Sequence, residues 1–199
     1  MLVDIQNLYY SAKVLNQKKV NFGQILKAGV GDRKLIRALA YGIKTLEGQE
    51  KNFFEALEKQ GFEVKTKDLQ IFPGGAKKGD WDVGIAVDAI KMSKSLDVII
   101  LVSGDGDYIP VVEYIQNTTG CRVEIIAFKE STSSKLIEAA DEFTNISENK
   151  KKLLITLLIL VLGITYMQSE KSYDRTPGLR HIIKVENTVC VKCHADIRW

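Results

Sequence analysis

Five consecutive aliphatic residues, Val98-Ile99-Ile100-Leu101-Val102, run directly into Ser103-Gly104-Asp105-Gly106-Asp107. The run is too short for an ordinary helix and too apolar for a strand with one face in water. It fits a strand covered on both faces, as in a parallel sheet packed between helices. The flanking sequence supplies the other layers. Residues 2–4, 35–42, 62–67 and 122–127 read as further strands. Helical spacing runs over residues 8–15, 22–28, 50–60, 82–93, 110–116 and 133–140, with Gly61 as a stop signal and Pro110 in a first turn. Strands alternating with helices predict an α/β fold whose central, mostly parallel sheet has helices on both faces.

In such sheets, sites form at the carboxyl ends of the strands. Two stretches qualify: Asp4 to Asn7 after the first strand, and Ser103 to Asp107 after the aliphatic one. Asp105 and Asp107 repel each other when both are ionised. A hard cation, Mg²⁺ or Mn²⁺, would relieve that repulsion and matches oxygen donors. A solvated turn is the alternative, because Asp and Gly are common turn residues. Asp4 lies between Val3 and Ile5, where a carboxylate needs a partner, a hydrogen bond or a metal. The alternative is a cap for the helix that follows. Asn7 orients Asp4, holds a water or caps the helix at Leu8.

A third stretch is Lys77-Lys78-Gly79-Asp80-Trp81-Asp82. Asp82 would cap a helix and face the loop side of the sheet. Lys77 and Lys78 suit phosphates, and Trp81 either stacks on a base or packs the loop. Asp88 follows Asp82 by six residues, roughly 120° around a helix. Its neighbours Ala86, Val87, Ala89 and Ile90 are apolar, so it is either a member of the site or half of a structural ion pair.

Taken in order, Val3-Asp4-Ile5-Gln6-Asn7-Leu8-Tyr9, Lys78-Gly79-Asp80-Trp81-Asp82-Val83 with Ala86-Val87-Asp88-Ala89, and Val102-Ser103-Gly104-Asp105-Gly106-Asp107-Tyr108 resemble a NYN domain. More narrowly, they resemble the LabA-like branch of the PIN-like ribonuclease group. The likeness runs over residues 1–147 and includes the ending at residues 134–143. It implies a PIN-like three-layer sandwich, ribonuclease activity, Mg²⁺ or Mn²⁺ as cofactor, and RNA, single-stranded or structured, as partner. It also implies a catalytic set of Asp4, Asn7, Asp82, Asp88, Asp105 and Asp107. The metal ligands among them would be Asp4, Asp82, Asp105 and Asp107. Lys77, Lys78, Trp81 and Ser103 would meet the substrate or hold the loop. One departure from the pattern is that Met1 nearly coincides with the first strand, so that strand is expected to be short or frayed.

Two other readings of the acids stay open. One is a regulatory module that binds metal and nucleic acid without turnover. The other is a Toprim-like phosphoryl-transfer site, for which Asp105-Gly106-Asp107 fits but no matching Glu is found. Both histidines, His181 and His194, lie outside the first domain, which favours metal-activated water over a protein nucleophile. The formal net charge of +3 excludes a strongly basic nucleic-acid binder, so any such role needs a local patch. The lone Cys121 in the first domain suggests a reducing compartment. No secretory signal opens the chain, which points to the cytoplasm. Homo-oligomers are also expected.

The chain is expected to divide into a nuclease domain over residues 1–149 and a tail over residues 150–199. Three lysines at residues 150–152 precede an apolar run over residues 153–167. That run is about 15 residues long against the roughly 20 of a spanning helix. It reads as a C-terminal hydrophobic helix, anchoring the protein in the inner membrane or buried as a terminal helix. An irregular segment follows and ends in Cys190-Val191-Lys192-Cys193-His194, which resembles a c-type haem attachment motif. The tail resembles the membrane-anchored start of a multihaem cytochrome. That likeness implies haem c on Cys190 and Cys193 with His194 as axial ligand. A free cysteine pair, a zinc half-site and a truncated or fused gene segment are the alternatives.

Overall fold

The computed structural model describes residues 1–45, 48, 50–71 and 77–155. Its first half runs β1 (Leu2–Asp4), α1 (Ile5–Asn16), β2 (Lys19–Val20), α2 (Phe22–Val30), β3 (Leu39–Lys44), α3 (Lys51–Lys59), β4 (Glu63–Asp68), β5 (Gln70–Ile71) and β6 (Lys77–Lys78). Then come α4 (Asp82–Ser93), β7 (Val98–Val102), α5 (Ile109–Thr119), β8 (Arg122–Ala127), α6 (Ser134–Ala139), β9 (Glu142–Asn145), α7 (Lys150–Leu153) and β10 (Leu154–Ile155). Six strands form one sheet in the order β4-β3-β1-β7-β8-β9. Every neighbouring pair in it is parallel. The sheet grows outward in both directions from β1 and β7, so the strand order reverses between those two.

Alternation along the strands separates two cores. Val3, Ala40, Ile100, Val102 and Ile126 pack on one face with Leu8, Ile25, Phe54 and Leu57 of α1, α2 and α3. Leu2, Leu39, Tyr41, Ile99, Leu101, Val123 and Ile125 pack on the other with Ile85, Val112, Ile115 and Leu136 of α4, α5 and α6. This gives the expected three layers and explains why β7 is aliphatic throughout.

Several boundaries differ from the sequence reading. Helix α1 opens at Ile5 rather than residue 8, because the Asp4 side chain caps it by accepting from the Asn7 backbone N–H. Strand β3 begins at Leu39 rather than residue 35. Leu35 and Ile36 are exposed, and bonds to the neighbouring strands begin only at the Arg37 and Ala38 carbonyls, which accept from Met1 N and Glu63 N. Trp81, not Asp82, occupies the cap position of α4. The edge strand β9 was not anticipated, since its four residues include Phe143 as their one large apolar side chain.

Met1–Ile155 is one compact unit. Leu153 and Leu154 are buried in the first core, and Leu154–Ile155 pairs antiparallel with Lys19–Val20. The expected hydrophobic helix over residues 153–167 therefore does not start at Leu153. Among the described residues no helix is long and apolar enough to cross a membrane. The rest of that run, with Cys190, Cys193 and His194, lies outside the described residues.

Candidate functional site

The strand order reverses between β1 and β7, and doubly wound sheets bind ligands at the carboxyl ends of the strands at such a point. Asp4 ends β1, and Ser103 to Asp107 leave β7 beside it. Asp82 enters from the start of α4, which contacts both strands.

One carboxylate oxygen from each of Asp82, Asp105 and Asp107 lies within 4.8 Å of the other two. Asp82 and Asp105 are half-buried, and Asp107 is exposed. Asp4 stands just outside this trio. It is almost fully buried, and burial pushes its carboxyl up from 3.8 to about 6, against two backbone hydrogen bonds and with the help of the Asp82 and Asp105 charges. Asp82 is likewise raised, first by burial and then by Asp80, Asp105 and Asp107.

Local folding sets these positions. Asp105 caps a short 3-10 turn, Gly106–Tyr108, by accepting from Asp107 N at 3.0 Å. Ser103 is buried, and its hydroxyl accepts from Asp105 N at 3.3 Å. Asn7, three residues into the capped helix, accepts from Gly104 N at 3.0 Å. Asn7 thus holds the β7 loop to α1 rather than capping a helix. Gly104 is required by close approach: a Cβ there would meet Thr132 Oγ1 at 2.6 Å and Ser131 O at 3.1 Å.

Tyr108 directly follows the Ser103-Gly104-Asp105-Gly106-Asp107 stretch. Its side chain is buried, and its hydroxyl donates to Asp82 Oδ1 at 3.2 Å. Burial, followed by the charges of Asp4 and Asp82, drives its ionisation far above the ordinary tyrosine value. It stays a neutral donor among three carboxylates. Only the loop-helix geometry reveals this, since nothing in the spacing links residue 108 to residue 82.

Asp88 is not part of the trio. It accepts from the Tyr41 hydroxyl at 2.8 Å and from Lys65 Nζ at 2.6 Å. Partial burial opposes its ionisation, but these two partners outweigh burial and hold it below the usual carboxylate range. Trp81 packs the loop. Its Nε1 donates to Gly42 O at 2.9 Å, and its ring lies 5.2 Å from that of Tyr41. Lys77 and Lys78 form β6, in register with Ile71 and Gln70.

With this geometry in view, sequence comparison decides the family. The NYN domain model matches residues 1–148. The chain belongs to the NYN domain family. It is 25% identical over 122 residues to the low amplitude and bright protein LabA of Synechococcus elongatus, covering 58% of this chain and 64% of that protein. The chain therefore spans under two thirds of that relative's length. A solved structure of a protein of unknown function from Vibrio parahaemolyticus RIMD 2210633 superposes with a TM-score of 0.71 at 35% identity. That match covers 77% of this chain and 93% of the Vibrio protein. The chain is a LabA-like NYN protein whose fold is of the PIN-like type, with an acidic group of Asp82, Asp105 and Asp107.

Proposed function

We propose that this NYN domain is a metal-dependent ribonuclease that hydrolyses RNA phosphodiester bonds at the Asp82, Asp105 and Asp107 group. One observation carries the reading. Three carboxylates converge where β7 and α4 meet in a nuclease-type fold, next to a fourth whose ionisation is opposed by burial.

The donor set fits a hard divalent cation such as Mg²⁺ or Mn²⁺, since every donor is a carboxylate oxygen. Asp4 adds to the fit. Its carboxyl is raised first by burial and then by the charges of Asp82 and Asp105, and a nearby cation would favour its ionised form. Asp82, Asp105 and Asp107 would hold the ion, with Asp4 completing or orienting the set. A bound cation would acidify a water and offset charge on the phosphodiester.

The chain's own residues do the positioning. Asn7 and Ser103 fix the loop that carries Asp105, and Tyr108 fixes Asp82. Asp107, being exposed, is open to the approaching substrate. Cys121 is buried within the second core, away from any nucleophilic role.

A second reading keeps the cation and the nucleic acid but not turnover. It is favoured by Asp4 being spent on a helix cap and standing outside the trio. Metal-dependent RNA cleavage that disappears in Asp105→Asn separates the two readings.

A further inference from the structure

The edge strand β4, two strands from β1, carries two lysines on the α4 face of the sheet, Lys65 and Lys67. Each ammonium stands over an aromatic ring. Lys65 Nζ lies 5.8 Å from the Tyr41 centroid, and Lys67 Nζ lies 4.6 Å from the Trp81 centroid. Their charges are used differently. Lys65 is taken up by Asp88 at 2.6 Å. Lys67 forms no ion pair among the described residues, and its side chain is exposed.

The Trp81 indole is engaged by four residues. Gly42 accepts its N–H, and Tyr41 packs at 5.2 Å. Gly84 backs it so closely that a Cβ would meet Trp81 Cε3 at 2.6 Å. Lys67 lies over the ring. The indole is thus a fixed platform for an ammonium rather than a free face for a base. A lysine held this way loses less freedom when it meets an anion.

Trp81 immediately precedes Asp82, so Lys67 lies over the residue next to one member of the acidic group, near the carboxyl end of β4. A polyanion approaching three aspartates is repelled unless a cation lies on its path. Lys67 supplies one that no carboxylate among the described residues has claimed. Asp4 is recessed, with 8% of its surface exposed. A flexible single strand can bend its backbone toward such a recess, whereas a duplex is stiff.

We propose that Lys67, propped on Trp81, is the phosphate contact that guides single-stranded RNA to the acidic group. The proposal rests on the ribonuclease reading above. It moves the substrate contact from the indole to the ammonium over it.

The test uses the full chain carrying Asp105→Asn, to prevent turnover, in Mg²⁺. Binding of a fluorescent single-stranded RNA oligonucleotide is followed by anisotropy from about 50 to about 200 mM salt. Adding Lys67→Met, which keeps the apolar stem, weakens binding. It also reduces the slope of log affinity against log salt by about 0.7, the value of one phosphate contact on a single strand. Lys67→Arg restores the slope. Equal affinity and slope in the parent and Lys67→Met overturn the Lys67 assignment alone. A parent that binds no RNA at any salt overturns the ribonuclease reading together with it.

Discussion

The Tyr108 hydroxyl donates to Asp82 Oδ1 at 3.2 Å, tying the turn after β7 to the first turn of α4. Asp82 and Asp105 come from elements far apart in sequence, and this bond sets their relative position. A hydrogen bond to a charged group contributes about 1.5–3 kcal/mol. Tyr108→Phe keeps the buried ring and removes only the bond. Mn²⁺ affinity, followed by calorimetric titration, is expected to fall roughly tenfold or more at that magnitude, with the circular dichroism spectrum unchanged. Unchanged affinity would remove Tyr108 from any role in the site.

The Asp4 carboxyl, raised from 3.8 to about 6, makes stability depend on pH. The folded chain holds this proton more tightly than the unfolded chain does. The associated stability is fully present below about pH 3.8 and is lost as pH rises through about 6. The difference corresponds to roughly 3 kcal/mol. Asp4→Asn keeps the cap, since Asn accepts the same backbone bond. Without metal, the variant should be more stable than the parent above pH 6, and the gap should close toward pH 4. Paired denaturant titrations across that range read this difference directly. A constant gap would mean that Asp4 titrates as an ordinary carboxyl.

Asp88 lies on the same helix as Asp82, but its partners are Lys65 and Tyr41. Asp88→Asn keeps an acceptor for the Tyr41 hydroxyl and removes the charge opposite Lys65. The pair is partly exposed, so the expected loss of stability is about 1 kcal/mol or less. Mn²⁺ affinity should not change. A large fall in affinity without a change in stability would return Asp88 to the metal-binding set.

The sheet and most helices could be read from the sequence because β7, β8 and α4 carry strong patterns. The Arg122–Ala127 span matches expectation to the residue, and α4 starts one residue before the expected cap allows. The misses have local causes. Residues 35 and 36 look like strand by composition but are exposed, and the strand register begins only at Leu39. Leu153 and Leu154 begin a run that suggests a membrane helix, yet both fill the core beside Val20 and Phe22. Hydropathy alone does not say which surface covers an apolar residue. At the site, Asp82, Asp105 and Asp107 were found as acids at element ends. The roles of Tyr108 and Lys67 were not, because each depends on a contact between elements distant in sequence.

The most direct measurement is cleavage of a labelled single-stranded RNA by the purified full chain and its Asp105→Asn variant, with Mg²⁺ or Mn²⁺ and with chelator. The account predicts cleavage by the parent that chelator abolishes and that falls at least a hundredfold in the variant, about 2.7 kcal/mol of lost transition-state stabilisation. Undiminished cleavage by Asp105→Asn would contradict it, as would a parent that binds metal and RNA yet leaves the RNA intact.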